Sequence, residues 1–205
     1  MRNHSRNLTA ALLLGGALVL TGCSGTAPAA PTDSQQPADP APSAPEDTGD
    51  GSAIQRDTDL AGATFTMSWT DALDAAAKNF DGDPVSLSLE WKRTAFAYGV
   101  ELVSDTESYE AVFDANTGKL MHEEVERESA EDVAEKRRGI IKPADLIDPG
   151  QAMSAAVAAL PGAVEEWEID DEDGRMSYEV QIITDTGDAD VRVDAVSGEI
   201  IEIDN

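Results

Sequence analysis

The chain has 205 residues, enough for one ordinary domain or two small ones, and a formal net charge of −27 from 41 acidic and 14 basic residues. Such an acidic surface repels nucleic acid and anionic lipid headgroups, which excludes nucleic-acid binding and membrane attachment through a basic patch. Cys23 is the single cysteine, which excludes a disulfide within the chain, a cysteine-type structural zinc site and a CxxC redox site.

The N-terminus has the pattern of a secretory signal. Arg2 and Arg6 precede an apolar run, Leu8–Leu20, that is too short to span a bilayer comfortably. The following LTGC resembles the bacterial lipobox, whose cysteine receives a diacylglyceryl group and becomes the first residue after cleavage. This pattern predicts a signal peptide over residues 1–22 and a protein anchored to the cell membrane, on its extracytoplasmic face, through lipidated Cys23.

Residues 23–62 predict a disordered tether. This segment is rich in Pro, Ala, Ser, Thr and Asp and has no hydrophobic period, so it buries too little apolar area to fold. We interpret it as the link between the lipid anchor and the folded part.

The rest of the chain is a duplicated unit. Positions 67–125 align with positions 147–205 without a gap, and eleven positions are identical. In each copy a helical pattern precedes runs in which apolar and polar residues alternate, as in half-buried antiparallel strands. The sequence predicts an α+β fold of two tandem units, residues 63–125 and 146–205, each a helix packed on an antiparallel sheet of three to four strands.

Local signals mark the helices. Ser68 with Asp71, and Asp148 with Gln151, have the spacing of capping boxes at the two helix starts. Between the copies, residues 126–145 predict a connecting helix, because acidic residues lie in its first turn and basic residues in its last.

A turn motif recurs at equivalent places in the two copies, as VFDANTGKL and RVDAVSGEI. Asp114 and Asp194 are placed to accept backbone N–H bonds in an Asx turn. Gly118 and Gly198 can adopt the positive φ that closes a hairpin. The motif is therefore predicted to be the last hairpin of each repeat.

The segments that end in this hairpin, YGVELVSDTESYEAVFDANTGKLM and YEVQIITDTGDADVRVDAVSGEII, resemble the PepSY domain. The resemblance implies a small extracytoplasmic module, found in propeptides of thermolysin-like proteases and in envelope lipoproteins, that binds and restrains peptidases or serves as an interaction module. The chain departs from the protease precursors because no catalytic domain follows the repeats, so we expect no enzymatic activity.

Two motifs match metal sites only in part. HEEVE, from His122, has Glu126 where the zinc motif HExxH needs a second histidine, and it belongs to a predicted strand. DDEDGR would place Ile169 and Val180 at EF-hand positions that require oxygen ligands. We therefore expect no metal-dependent catalytic residues and no cofactor.

The two copies differ in charge. Residues 146–205 carry a net charge of −14, against −8 for residues 66–125. Period-two alternation places five acids on one sheet face of the second copy: Glu166, Glu168, Asp170, Glu179 and Asp190. The sequence thus predicts a binding face for a basic partner, an exported peptidase or another envelope protein. The alternative that the same charges favour is an acidic, cation-binding or cation-responsive envelope module.

Overall fold

Each repeat folds into one helix followed by four antiparallel strands. The computed structural model describes residues 54–172 and 174–204, which belong to one compact unit, Asp50–Asn205. The first repeat contains α1 (Trp69–Asn79), β1 (Asp83–Lys92), β2 (Ala95–Val103), β3 (Glu107–Asp114) and β4 (Leu120–Arg127). The connector contains α2 (Ala130–Lys136) and two 3-10 turns, Arg137–Gly139 and Pro143–Asp145. The second repeat contains α3 (Pro149–Ala159), β5 (Ala163–Glu172), β6 (Arg175–Thr184), β7 (Gly187–Asp194) and β8 (Ile200–Asp204).

Both predicted capping boxes are present. Ser68 Oγ accepts a hydrogen bond from the N–H of Asp71 at 3.1 Å, and Asp71 Oδ2 accepts one from the N–H of Ser68 at 3.0 Å. At the start of α3, Asp148 and Gln151 form the second box. The boxes satisfy N–H groups that have no partner within the helix.

The eight strands form one sheet, in the order β4-β3-β2-β1-β5-β6-β7-β8. The α+β class and the antiparallel strands are confirmed, but the repeats share a single sheet instead of having one each. They join where β1 pairs with β5, with Ser88 opposite Glu168. These two residues occupy equivalent positions in the repeats, so the join has the symmetry of a twofold axis.

One hydrophobic core lies between the sheet and the two helices. Helix α1 contributes Ala72 and Ala76, and α3 contributes Ala152 and Ala156, all of them fully buried. Such small side chains let a helix backbone lie close to the sheet. The core cluster contains residues from both repeats, including the strand residues on either side of the join.

A smaller cluster lies on the opposite face of the sheet. Strict alternation along β1 would place Val85 on the core side with Leu87, but the register shifts between Pro84 and Ser86. Val85 instead packs with Val103, Val133 and Ile140. Since Val103 follows the core residue Leu102 on β2, and consecutive strand residues point to opposite faces, this cluster fixes the connector to the back of the sheet.

The segments that precede the two helices cross between the repeats. The N–H of Leu60, ahead of α1, donates to the carbonyl of Val164 on β5 at 3.0 Å. The N–H of Ile141, ahead of α3, donates to the carbonyl of Pro84 on β1 at 2.7 Å. Leu60 is only 2% exposed. The predicted tether, residues 23–62, is therefore wrong over its last part, residues 54–62, since an apolar side chain there is inserted into the core.

The connector is less helical than predicted for residues 126–145. Strand β4 continues to Arg127, and α2 has only seven residues before the chain tightens into 3-10 turns. The basic residues pair with acids: Lys136 Nζ lies 2.5 Å from Glu101 Oε1 and 2.6 Å from Glu128 Oε1. Across the described part of the chain, helices fall short of the length and apolarity that a membrane span requires.

Candidate protein-binding face

The two recurring turns have closely similar geometry. Asp114 Oδ1 accepts hydrogen bonds from the N–H groups two and three residues later, at 2.9 and 2.8 Å. Asp194 Oδ1 does the same at 3.1 and 2.7 Å. Gly118 and Gly198 have φ values of 67° and 75°. An L residue rarely adopts this conformation, so the glycines allow the hairpins to close.

The turns also hold the helix starts against the sheet. The carbonyl of Ala115 accepts from the N–H of Met67 at 3.0 Å, and that of Ala195 accepts from Ile147 at 2.8 Å. Each of these alanines lies directly after the motif aspartate and is fully buried. The DA pair of the motif thus connects the last hairpin to the beginning of its own helix, which is a structural role.

Asp194 has two further partners, of which the arginine has no counterpart in the first repeat, where Ala95 occupies the equivalent position. Arg175 Nη2 lies 2.6 Å from Asp194 Oδ2, and Ser197 Oγ donates to Asp194 Oδ1 at 2.8 Å. Hydrogen bonds from Ser197, chiefly from its backbone N–H, together with Arg175, lower the pKa of Asp194 to about 2. This carboxylate is therefore ionised at any physiological pH.

The five acids predicted to share a face do so in the structure. Strand pairing sets Glu168 beside Glu179, Glu166 beside Gln181, and Gln181 beside Asp190. Asp170 lies two residues beyond Glu168 on the same strand. We call this surface the acidic face and define it by the residues Glu90, Glu166, Glu168, Asp170, Glu179 and Asp190.

Glu90 was missed by the sequence analysis because it belongs to the first repeat. It reaches the acidic face only because β1 lies next to β5. A shallow depression at this join is lined by Ser88, Glu90, Glu166, Glu168, Glu179 and Gln181. The pairing of strands from two different repeats carries no local signal in the sequence.

Crowding changes the titration of two acids on this face. Burial raises the pKa of Glu166 to about 6, and the charges of Glu90 and Glu165 add to the rise. Although Glu168 keeps solvent-exposed surface, loss of hydration against the sheet raises its pKa as well. The hydrogen bond from Ser86 Oγ, at 2.8 Å, opposes that rise. A positively charged partner would relieve this repulsion.

The remainder of this sheet face differs between the repeats. In the first repeat, Ser86 and Ser88 occupy the positions of Glu166 and Glu168, and the connector packs over Val85 and Val103. In the second repeat, Arg192 lies 4.0 Å from Glu179 and 3.7 Å from Glu202, measured between guanidinium and carboxylate atoms. On this side of the sheet the second repeat therefore carries more acidic side chains than the first.

The remaining sites considered in the sequence are the lipidation site and the partial metal motifs. Cys23 and the signal peptide lie outside the described residues. His122 lies on β4, 3.8 Å from Glu124, and its strand geometry differs from that of a helical zinc motif. Among the described residues, no group of three or more His, Cys, Asp or Glu side chains is arranged to hold a metal ion.

Comparisons with known proteins agree with the duplicated fold. The PepSY family model, described as "Peptidase propeptide and YPEB domain", matches residues 67–123 and 146–204. A solved structure from Clostridium difficile 630, described as that of a candidate lipoprotein, is 31% identical to this chain with a TM-score of 0.67. The likeness covers 71% of this chain and 97% of the other. The comparison with curated proteins gives no match.

Proposed function

Since the chain belongs to the PepSY family through both of its repeats, we propose that it is a non-catalytic, lipid-anchored extracytoplasmic module that binds an exported protein. An envelope peptidase that it restrains or escorts is the first candidate, because the family description refers to peptidase propeptides. The acidic face carries the proposal, since it is a dense, one-signed surface that a basic protein surface complements.

Two observations support the lipid anchor. The LTGC at Cys23 follows an apolar run and a basic N-terminus. The similar structure from Clostridium difficile is described as that of a candidate lipoprotein. We expect Cys23→Ala to leave the protein unprocessed or to release it from the membrane. The measurement is mass spectrometry of the N-terminus together with fractionation. A wild-type protein found in the medium with an unmodified N-terminus would contradict the anchor.

The binding proposal is tested by capture of exported proteins with the full chain in detergent. The variant E168Q/E179Q removes a cross-strand acid pair from the acidic face. The matched control, E110Q/E124Q, removes a cross-strand acid pair from the first repeat. We expect E168Q/E179Q to reduce capture at least tenfold, the control to leave it within twofold, and high salt to weaken wild-type capture.

Two results would overturn the proposal. Capture that ignores both salt and the two carboxylates would make the acidic face a solubility feature only. Tight calcium or magnesium binding by titration calorimetry, with no protein captured, would favour the cation-binding alternative. If a captured protein is a peptidase, its hydrolysis of a fluorogenic peptide with and without the full chain shows whether it is restrained.

A further inference from the structure

The two ends of the sheet are built differently, although they are equivalent in the repeats. Strand β4 is one end and β8 is the other, so among the described residues each pairs with a single strand. An end strand exposes unpaired N–H and C=O groups along its outer side, which an extended chain can bind. The side chains around each end decide whether such a chain can approach.

The flank of β4 is filled by aromatic and charged groups. The rings of Phe80 and Tyr109 stack with their centroids 5.2 Å apart. Tyr109 Oη then donates to Glu123 Oε2, on β4, at 2.8 Å. The stack and the hydrogen bond occupy the helix side of this end, and β4 itself adds further charges at Glu124 and Glu126.

The flank of β8 is aliphatic at the same three positions. In the alignment of the repeats, Phe80, Tyr109 and Glu123 correspond to Leu160, Ala189 and Ile203. Ile203 pairs with the buried Val191, which places Ile203 on the helix side of the sheet. It is nevertheless 37% exposed. An added strand could therefore pack an apolar side chain against Ile203 and Leu160, where the first repeat has Glu123 and Phe80.

The opposite side of β8 is acidic. Glu202 and Asp204 pair with Arg192 and Asp190 on the back of the sheet. Residues 187–204 carry six acids and one base. Because side chains alternate along a strand, a chain bound beside β8 would place one set of residues next to isoleucine and the other next to carboxylates.

We propose that β8 binds an extended segment of an exported protein as a ninth strand, and that this segment alternates basic and apolar residues over about five positions. This inference rests on the proposed function and names the mode of recognition. A second copy of this chain fits the edge poorly, since pairing β8 with β8 would bring Glu202 and Asp204 of both copies together.

The test measures binding of a fluorescent Lys-Val-Lys-Val-Lys peptide to the full chain in detergent by anisotropy. We expect Ile203→Lys to weaken binding at least tenfold, because the lysine would place a charge against the valines of the added strand. The matched change on the other end strand, Val125→Lys, should alter binding less than twofold. Val125 is 53% exposed and lies on the helix side, opposite Tyr109.

Two peptide controls need no protein variant. Alternate residues of a strand direct their N–H groups to the same side, so the control peptide carries backbone N-methyl groups on both its valines and its lysines and cannot donate backbone hydrogen bonds to β8. We expect it to bind at least tenfold more weakly. A peptide with glutamate in place of lysine should not bind. Slower amide hydrogen exchange along β8 in the bound state would support strand addition directly.

Equal binding of the unmodified and N-methylated peptides would overturn the inference, as would an unchanged affinity of I203K. If wild type and I203K capture the same exported proteins equally, the edge is not the site while the proposed function stands. If the full chain captures no exported protein although the peptide binds β8 as expected, the proposed function fails and the edge remains a peptide site.

Discussion

Replacing Leu87 with alanine tests whether the two repeats unfold as one body. Leu87 is fully buried and pairs with Ile169 across the join between β1 and β5. Truncating a leucine at such a site removes its transfer free energy and leaves a cavity, which costs about 3 kcal/mol. For a folded part of about 150 residues, this corresponds to a fall in Tm of about 6–12 °C. Because the core cluster contains residues of both repeats, we expect the second repeat to lose the same stability.

Tryptophan fluorescence can follow the second repeat at the join. With Trp69 and Trp91 replaced by phenylalanine, the remaining tryptophan is Trp167, which belongs to the second repeat and pairs with Leu89 of the first. Circular dichroism reports on the whole fold. In this background L87A should lower both transitions by the same amount. The control Val125→Ala alters a side chain that is 53% exposed and should stay within about 0.5 kcal/mol. A Trp167 transition that stays at its original temperature while the circular dichroism transition splits in two would refute the shared core.

Three further predictions concern stability measured by urea unfolding. Glu166, with its pKa raised to about 6, makes the folded state bind a proton more tightly than the unfolded state, so its effect on stability improves as pH falls from about 6 to about 4.5. Glu166→Gln should therefore raise the free energy of unfolding by about 1 kcal/mol at pH 7.5, after allowance for solvent screening, and by almost nothing at pH 4.5. If the free energy of unfolding changes with pH in parallel for the two proteins, this reasoning is contradicted. Asp194, with its pKa lowered to about 2, stabilises the folded state above pH 4, and this stabilisation is lost as the pH falls from about 4 to about 2. Asp194→Asn should therefore lower the free energy of unfolding by about 2 kcal/mol at pH 7, and Asp114→Asn should lower it by less. Leu60→Ala should lower the free energy of unfolding by about 2–4 kcal/mol if residues 54–62 belong to the fold. An unchanged unfolding midpoint would indicate that this segment is part of the tether.

The sequence by itself determined the repeated unit and most of its local structure. Alternation of apolar and polar residues depends on neighbours along one strand, so it predicted the strands and the acidic face of the second repeat. The capping boxes and the DA-containing turns depend on contacts between residues close together in the chain, so their partners lie within the motif. The lipobox at Cys23 is also a local pattern, and its prediction remains to be tested by the Cys23→Ala variant.

Only the tertiary structure decided how the repeats are combined. The pairing of Ser88 with Glu168 joins strands that are distant in the chain, and the same patterns are compatible with two separate sheets. That pairing brings Glu90 to the acidic face, and it leaves β4 and β8 as the two ends of the sheet. The insertion of Leu60 into the core likewise depends on a partner in the other repeat, Val164. Hydrophobic burial is not directional, so a lone leucine in a polar segment does not reveal which surface will cover it.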